Sequence, residues 1–167
     1  MQQQKGFTLI ELVVVIIILG ILAVTAAPKF INLQTDARAS ALQGLKGAIQ
    51  GANGMIYSKA VIAGDQAKTE PNTTVNIGSG NVPIFLGYMQ ATKAAILAGT
   101  DINAADWTFD PDTGAASGTL VIKQVGSPDA TGKECRLTYV AAKVATDDNA
   151  TPTPATLPVV TVLSGGC

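Results

Sequence analysis

An apolar run of membrane length begins at residue 7, and it limits what this sequence can fold into more than any other feature. Residues 7–27 contain a single ionisable side chain, that of Glu11. As an α-helix the run is about 31 Å long at about 1.5 Å per residue, which matches a bilayer hydrocarbon core of about 30 Å. The sequence therefore predicts a membrane-spanning helix with one carboxylate near its start.

Two ordinary roles for such a run are a cleavable secretory signal and an inert membrane anchor. A signal has a shorter apolar core and a small-residue cleavage site, for which Ala23–Pro28 offers candidates, but the helical pattern continues beyond Pro28. An inert anchor has no evident use for Glu11, because a charged side chain costs about 2.5–3.5 kcal/mol at mid-bilayer and less near an end. The carboxylate therefore points to a partner of opposite charge.

The helical pattern beyond Pro28 becomes amphipathic, although the proline should kink the helix because it lacks a backbone N–H. Apolar side chains recur every three or four residues, as on one face of a helix: Leu33, Ala37, Ala41, Leu45, Ile49, Ala52 and Ile56. Four glycines have the same spacing, and each costs about 1 kcal/mol relative to alanine: Gly44, Gly47, Gly51 and Gly54. They indicate either close approach of a neighbouring backbone or a weak, fraying helix.

The second half of the chain has the pattern of a small α+β domain, with one short helical segment and several segments typical of strands. Gly87–Gly99 predicts a short helix that stops at Gly99. Segments rich in β-branched residues predict strands, with a hairpin connection at 125–134 and a polar loop at 146–156: Val82–Gly87 (strand or loop), Gly118–Val125, Glu134–Ala145 and Leu157–Leu163. An antiparallel sheet of three or four strands, packed on the amphipathic half of the helix, would bury both apolar faces.

The composition argues against catalysis and against nucleic-acid binding. The chain has no histidine, so the commonest general base and transition-metal ligand is missing, and no pair of carboxylates has a recognisable catalytic setting. A formal net charge of −1 provides no strong field for phosphates. We expect a protein that is not an enzyme, without a cofactor and without a nucleic-acid partner.

The segment Phe109–Gly114 resembles a fragment of a calcium-binding loop, with Asp110 and Asp112 two positions apart. A complete loop needs more oxygen ligands and a bidentate glutamate. A turn stabilised by Asp and Pro is the simpler interpretation, so no metal site is predicted and the two aspartates remain weak candidates. Trp107 is expected in the core rather than on a sugar-stacking surface.

Two cysteines, Cys135 at the start of a predicted strand and Cys167 at the last position, are consistent with a disulfide if the domain lies outside the cytoplasm. A bond between them would stabilise the fold by about 3–4 kcal/mol and hold a terminus that would otherwise fray. Two unrelated thiols are the alternative.

The N-terminal sequence KGFTLIELVVVIIILGILA closely resembles that of the type IV pilins, of the type IVa class. In that family a short basic leader ends in glycine, a membrane-embedded peptidase cuts after the glycine and methylates the new N-terminal residue, and a glutamate stands fifth in the mature chain. The resemblance implies cleavage between Gly6 and Phe7, N-methylation of Phe7, and a role for Glu11 in assembly. It also implies the pilin fold, in which a long N-terminal helix packs on a small antiparallel sheet and a disulfide bounds the C-terminal segment.

This resemblance divides the chain into a leader, a helix and a globular part. Residues 1–6 would be the leader, 7–60 the long helix, and 61–167 the globular region, which forms one domain with the amphipathic half of the helix at 28–60. Residues 7–27 would be embedded in the membrane and later in the filament core. Over residues 1–60 the sequence is most similar to the major pilins of mannose-sensitive haemagglutinin (MSHA) pili, which are surface filaments for attachment and biofilm formation.

The partners that this resemblance implies are other copies of the chain, the prepilin peptidase and methyltransferase, the assembly platform with its minor pilins, and the inner membrane before assembly. The nearest rival is a pseudopilin of a type II secretion system, which shares the processing and the helix but forms a short periplasmic structure. The cysteine pair favours the pilus, whereas a calcium site at Asp110 and Asp112 would favour the pseudopilin. A membrane-tethered enzyme or binding protein is the rival from another class.

Overall fold

The computed structural model of the chain describes residues 6–145 and 155–167, apart from the side chains of residues 30–32. The described residues belong to two compact units, one that ends at Ala37 and one that comprises Arg38–Cys167. Helix α1, Leu9–Ala63, supplies residues to both units and includes Pro28 in its interior. Most of the predicted polar loop at 146–156 lies outside the described residues.

The apolar part of α1 keeps its side chains on the surface of the first unit. Every large apolar side chain from Phe7 to Val24 is exposed, from 43% at Val13 to 93% at Phe7. In the described part of the chain, α1 is the one helix long and apolar enough to cross a membrane, by length and composition. The predicted apolar helix is therefore confirmed, and its apolar side chains are exposed among the described residues.

Six apolar side chains form the buried face of α1 in the second unit: Leu42, Leu45, Ile49, Ala52, Ile56 and Ala60. The predicted stripe is right from Leu45 onward but wrong at Leu33 and Ala37, which are exposed. The error comes from extrapolating a strict spacing of four residues. At 3.6 residues per turn, each step of four rotates about 40° beyond a full turn, so the stripe leaves the core face. The structure buries Leu42 in place of its neighbour Ala41.

The four regularly spaced glycines of α1 are exposed, and no atom lies within 4 Å of the position that a Cβ would take at Gly44, Gly47, Gly51 or Gly54. The expected close approach of another backbone is therefore wrong for contacts within the described chain. The alternative of a fraying helix is not met either, because α1 continues to Ala63. Burial of the opposite face against the core stabilises the helix despite the glycines.

The strands of the second unit form three antiparallel sheets among the described residues. The first sheet has the order β1-β2-β3, with β1 at Thr74–Asn76, β2 at Asn81–Phe85 and β3 at Tyr88–Met89. The second has the order β4-β5-β8-β9, with β4 at Trp107–Asp110, β5 at Thr119–Gln124, β8 at Arg136–Val140 and β9 at Val159–Leu163. The third pairs β6, Asp129–Ala130, with β7, Lys133–Glu134.

Strands β5, β8 and β9 lie within their predicted segments, β2 begins one residue before its segment at Asn81, and the hairpin connection contains the small β6–β7 pair. Strands β1, β3 and β4 were not predicted, because two to four residues are too few to show a period, and β3 lies where the short helix was expected to begin. The short helix α2 spans Lys93–Thr100 rather than starting at Gly87, and a one-turn 3₁₀ helix follows at Ala104–Asp106. Gly99 does not end α2 as predicted, since Asp101 forms the C-cap in a left-handed conformation.

The core lies where the buried face of α1 meets the four-stranded sheet and α2. Alternate residues of the sheet strands point into it, as the period of two in a half-buried strand requires: Phe109, Leu120, Ile122, Leu137 and Tyr139. These side chains belong to one cluster with the buried residues of α1 and with Ala95 and Ile96 of α2. The predicted α+β class, a long helix packed on a small antiparallel sheet, is confirmed.

Candidate processing and assembly site

The predicted cleavage site lies in a short exposed segment before the first turn of α1. Gly6, Phe7 and Thr8 are outside the helix, which begins at Leu9. Phe7 is 93% exposed, and nothing lies within 4 Å of where a Cβ on Gly6 would be. The Gly6–Phe7 peptide bond is therefore open to a protease in the described chain.

Glu11 forms a reciprocal capping arrangement with Thr8 at the start of α1. The backbone N–H and the hydroxyl of Thr8 donate to Oε2 of Glu11 at 2.9 and 2.7 Å, and the N–H of Glu11 donates to the Thr8 hydroxyl at 3.3 Å. This is a capping box, in which the residue before the helix and the third helical residue satisfy each other's free N–H groups. The Glu11 charge also lies at the positive end of the helix dipole.

Sequence reasoning missed the contribution of Thr8, although the signal was available. Thr-x-x-Glu directly before an apolar run is the sequence pattern of a capping box. The finding also revises the argument that an inert helix has no use for Glu11. Glu11 has a local function at the helix start, so its presence alone does not require a charged partner.

The surroundings of Glu11 on the first unit are almost entirely apolar. Phe7, Ile10, Leu12 and Val14 border the same surface as Glu11. Burying a carboxylate on such a surface costs free energy unless an opposite charge or a hydrogen bond replaces its contacts with water. Thr8 supplies part of that compensation within the chain.

The two cysteines form the predicted disulfide, with an S–S distance of 2.05 Å between Cys135 and Cys167. Both cysteines are buried in the core cluster. The adjacent Gly166 donates its N–H to the carbonyl of Glu134 at 3.0 Å, and a Cβ on Gly166 would collide with the Lys133 carbonyl. The glycine therefore lets the C-terminus lie directly against the β7 backbone.

The two weak metal candidates lie at and just after the end of β4. Asp110 is the last residue of that strand, and Asp112 forms an ion pair with Lys93, Oδ1 to Nζ at 2.7 Å. Lys93 also lies 5.7 Å from the centre of the Phe109 ring. Over residues 6–145 and 155–167, no group of three or more His, Cys, Asp or Glu side chains could hold a metal ion. Trp107 was expected in the core, and it is half-buried and packs against the core cluster from outside.

Comparison with known proteins supports the processing motif independently of the structure. Residues 1–27 match the family model described as the prokaryotic N-terminal methylation motif. The chain is also 33% identical over 160 residues to fimbrial protein EcpC of Eikenella corrodens, an alignment covering 92% of this chain and 97% of that protein. No solved structure matches the chain.

A second relative is the type IV narrow pilus major component PilA5 of Thermus thermophilus. It is 35% identical over 77 residues, which cover 45% of this chain and 66% of that protein. The methylation motif, the exposed apolar helix and the disulfide-closed α+β unit define a fimbrial subunit. The chain belongs to the type IV pilin family.

Proposed function

We propose that this chain is the major structural subunit of a type IV pilus of the MSHA type, a surface filament for attachment and biofilm formation. The observation that carries the proposal is the start of α1, where the large apolar side chains from Leu9 to Val24 are exposed and lie within the residues that match the methylation motif. Such a surface requires a bilayer before assembly and neighbouring helices afterwards. The names of the two relatives, a fimbrial protein and a pilus major component, support a structural subunit.

Processing divides the chain into parts with different roles. The prepilin peptidase and methyltransferase would remove residues 1–6 by cutting between Gly6 and Phe7 and would methylate the new amine of Phe7. Residues 7–27 would then leave the inner membrane for the filament core, while the helix from Arg38 onward belongs to the same unit as 61–167. The assembly platform, minor pilins and other copies of the chain are the proposed partners.

Cleavage creates a positive charge near Glu11 that is absent from the precursor. The nitrogen of Phe7 is a neutral amide before the cut and a protonatable amine after it. In a bundle of parallel helices, the amine of one subunit can lie against Glu11 of its neighbour, where low polarity strengthens the attraction. An unpaired carboxylate in the same place is costly, so the pair fixes the axial register of helices whose apolar contacts do not.

Three substitutions distinguish the role of Glu11 in charge pairing from its role in the capping box. Glu11→Gln keeps the capping box, because glutamine serves there as well as glutamate, but removes the charge. Thr8→Ala removes the box and keeps the charge. We expect Glu11→Gln and Glu11→Ala to insert and to be cleaved but to give few filaments, and Thr8→Ala to give filaments. Electron microscopy with an antibody to this chain and the mass of the mature chain are the measurements.

Normal filament yield from Glu11→Gln would show that the charge is not needed and that Glu11 acts only as a cap. Gly6→Leu tests the cleavage site separately, since a bulky residue beside the scissile bond should block the peptidase. The Gly6→Leu chain should retain the mass of the unprocessed chain, and a mature mass identical to wild type would contradict the proposed site.

The pseudopilin remains the second candidate, and metal binding distinguishes it. A calcium site at Asp110 and Asp112 would support a pseudopilin, whereas the ion pair between Asp112 and Lys93 gives the aspartate another partner. Thermal unfolding of the purified chain, measured at increasing calcium concentrations, decides between the pilus subunit and the pseudopilin. Raised thermal stability with calcium that is lost in Asp112→Ala would favour the pseudopilin.

A further inference from the structure

A small groove on the unit Arg38–Cys167 contains two stacked tyrosines. The rings of Tyr57, on α1, and Tyr88, on β3, lie with centroids 4.7 Å apart and planes 14° apart. The groove has a volume of about 180 Å³, and its remaining lining residues come from separate parts of the chain: Gln66, Leu86, Ala142, Ala155, Thr156 and Leu157. Tyr57 is 36% exposed and Leu157 68%, so the described residues leave the groove open on one side.

One wall of the groove is formed by a residue in an unfavourable backbone conformation. Leu86 and Gly87 make the two-residue turn between β2 and β3, with φ of +51° and +79°. Positive φ at both positions is typical of a type I′ turn, which prefers Asn-Gly or Asp-Gly. A leucine in the left-handed region costs about 1–2 kcal/mol.

The glycine of this turn is explained by packing, but the leucine is not. A Cβ on Gly87 would lie 2.9 Å from the Tyr57 ring and 3.1 Å from Cα of Gln66, so glycine fits for both space and φ. Asparagine at position 86 would relieve the strain without any loss to the turn. Strained residues occur preferentially at ligand sites, which indicates that the Leu86 side chain is needed where it lies, on the groove wall.

The chemistry of the groove suits an uncharged ring with polar edges. The described lining side chains include no Asp, Glu, Lys or Arg, so a charged ligand would find no opposite charge there. The hydroxyl of Tyr88 is neutral at physiological pH, and desolvation moves the pKa of Tyr88 further upward from its ordinary value. The amide of Gln66 and the hydroxyl of Thr156 can exchange hydrogen bonds with a ligand, while the tyrosine and leucine surfaces are apolar.

We propose that this groove binds one neutral sugar ring. A pyranose has apolar C–H faces that pack on aromatic and aliphatic side chains, and hydroxyl groups on its edge that match an amide and a hydroxyl. The groove volume equals that of about six waters at about 30 Å³ each, which suits a single six-membered ring. A purely aliphatic ligand would instead leave the amide and hydroxyl groups without partners.

The test is a titration of the full chain in detergent micelles with the methyl glycosides of glucose, galactose and N-acetylglucosamine, followed by saturation-transfer NMR and calorimetry. We expect saturable binding of at least one glycoside. Leu86→Asn should weaken it at least about tenfold, which equals about 1.4 kcal/mol, while leaving the urea midpoint of unfolding unchanged or higher. Gln66→Ala should weaken binding at an exposed position, and Val125→Ala, outside the groove, should not.

Two results would overturn the proposal: no saturable binding of any of the three glycosides by the wild type, or unchanged affinity in both Leu86→Asn and Gln66→Ala. If Leu86→Asn fails to fold, Gln66→Ala alone decides the question. The measurement uses the unassembled chain, so its outcome is independent of whether Glu11 directs filament assembly.

Discussion

Tyr139 shows how a single buried residue ties three elements of the fold together. Its hydroxyl donates to the carbonyl of Met89 at 2.7 Å and accepts from Nδ2 of Asn53 at 3.3 Å, while Oδ1 of Asn53 accepts from the N–H of Met89 at 3.0 Å. The ring of bonds joins α1, β3 and β8. Each of these polar groups is satisfied, so the network specifies one arrangement of helix and strands at little cost.

Tyr139 predicts a loss of stability in alkali. Burial, opposed by the hydrogen bond from Asn53, raises the pKa of Tyr139 to about 12. Since the unfolded value is about 10, the tyrosine contributes its full stabilisation below pH 10 and loses it as pH rises from 10 to 12, up to about 3 kcal/mol. Urea unfolding across this range should show the wild type losing more stability than Tyr139→Phe.

The same variant supplies its own control at neutral pH. Tyr139→Phe should unfold about 1–3 kcal/mol more easily at pH 7, because Asn53 and Met89 lose a partner in a buried site. The two proteins should therefore converge in stability as pH rises. Parallel curves from pH 9 to 12 would mean that Tyr139 does not titrate with a raised pKa.

At the scale of the element, α2 shows why a glycine inside a helix need not mark its end. Thr92 caps the helix, accepting from the N–H of Ala95 at 3.2 Å, and Asp101 closes it. Gly99 lies between these caps, and a Cβ there would collide with Sδ of Met89 and lie 3.3 Å from Cδ1 of Ile56. The glycine lets α2 pack closely on β3 and α1.

A matched pair of substitutions tests this interpretation of Gly99. Gly99→Ala should lower the free energy of unfolding by about 1–3 kcal/mol, because overpacking outweighs the gain in helix propensity. Gly47→Ala, at an exposed position with open space, should raise it by about 0.5–1 kcal/mol. Urea denaturation of both variants measures the difference. Equal stabilisation by the two alanines would refute the close-packing account.

At the scale of the whole molecule, the disulfide completes a sheet whose last strand comes from the end of the chain. Strand β9 pairs with β8 from Arg136↔Leu163 to Val140↔Val159, and it is the last strand in the order β4-β5-β8-β9. Cys167 follows β9, and Cys135 directly precedes β8. The bond therefore keeps β9 beside its partner strand.

Removing this bond should destabilise the globular unit without changing its fold. The double variant Cys135→Ser with Cys167→Ser is expected to lose about 2–5 kcal/mol, with the largest increase in hydrogen exchange at residues 159–163. Reduction of the wild type with dithiothreitol should reproduce the effect, and Val125→Ala should not. Unchanged exchange in β9 would show that strand pairing alone holds the C-terminus.

Several features of this protein could be predicted from local sequence patterns. The apolar run and the later strands follow from residue type and spacing, which are local properties, whereas the processing motif around Gly6 and Phe7 was recognised by its resemblance to the type IV pilins. The capping box of Thr8 and Glu11 is equally local and could have been read from Thr-x-x-Glu. The amphipathic stripe was found only in part, since a spacing of four residues drifts away from the true helical period.

Other features depend on residues far apart in the sequence, and only the tertiary structure decided them. The bond ring of Asn53, Met89 and Tyr139, the space that requires Gly99, and the tyrosine groove behind Leu86 all form where separate elements converge. The sequence by itself determined an apolar helix followed by a small α+β domain, because periodicity and charge act within a few residues, and the family resemblance added the processing motif and the disulfide. The tertiary structure decided which face of α1 is buried and which side chains share a surface, because those depend on contacts that the chain makes only when folded.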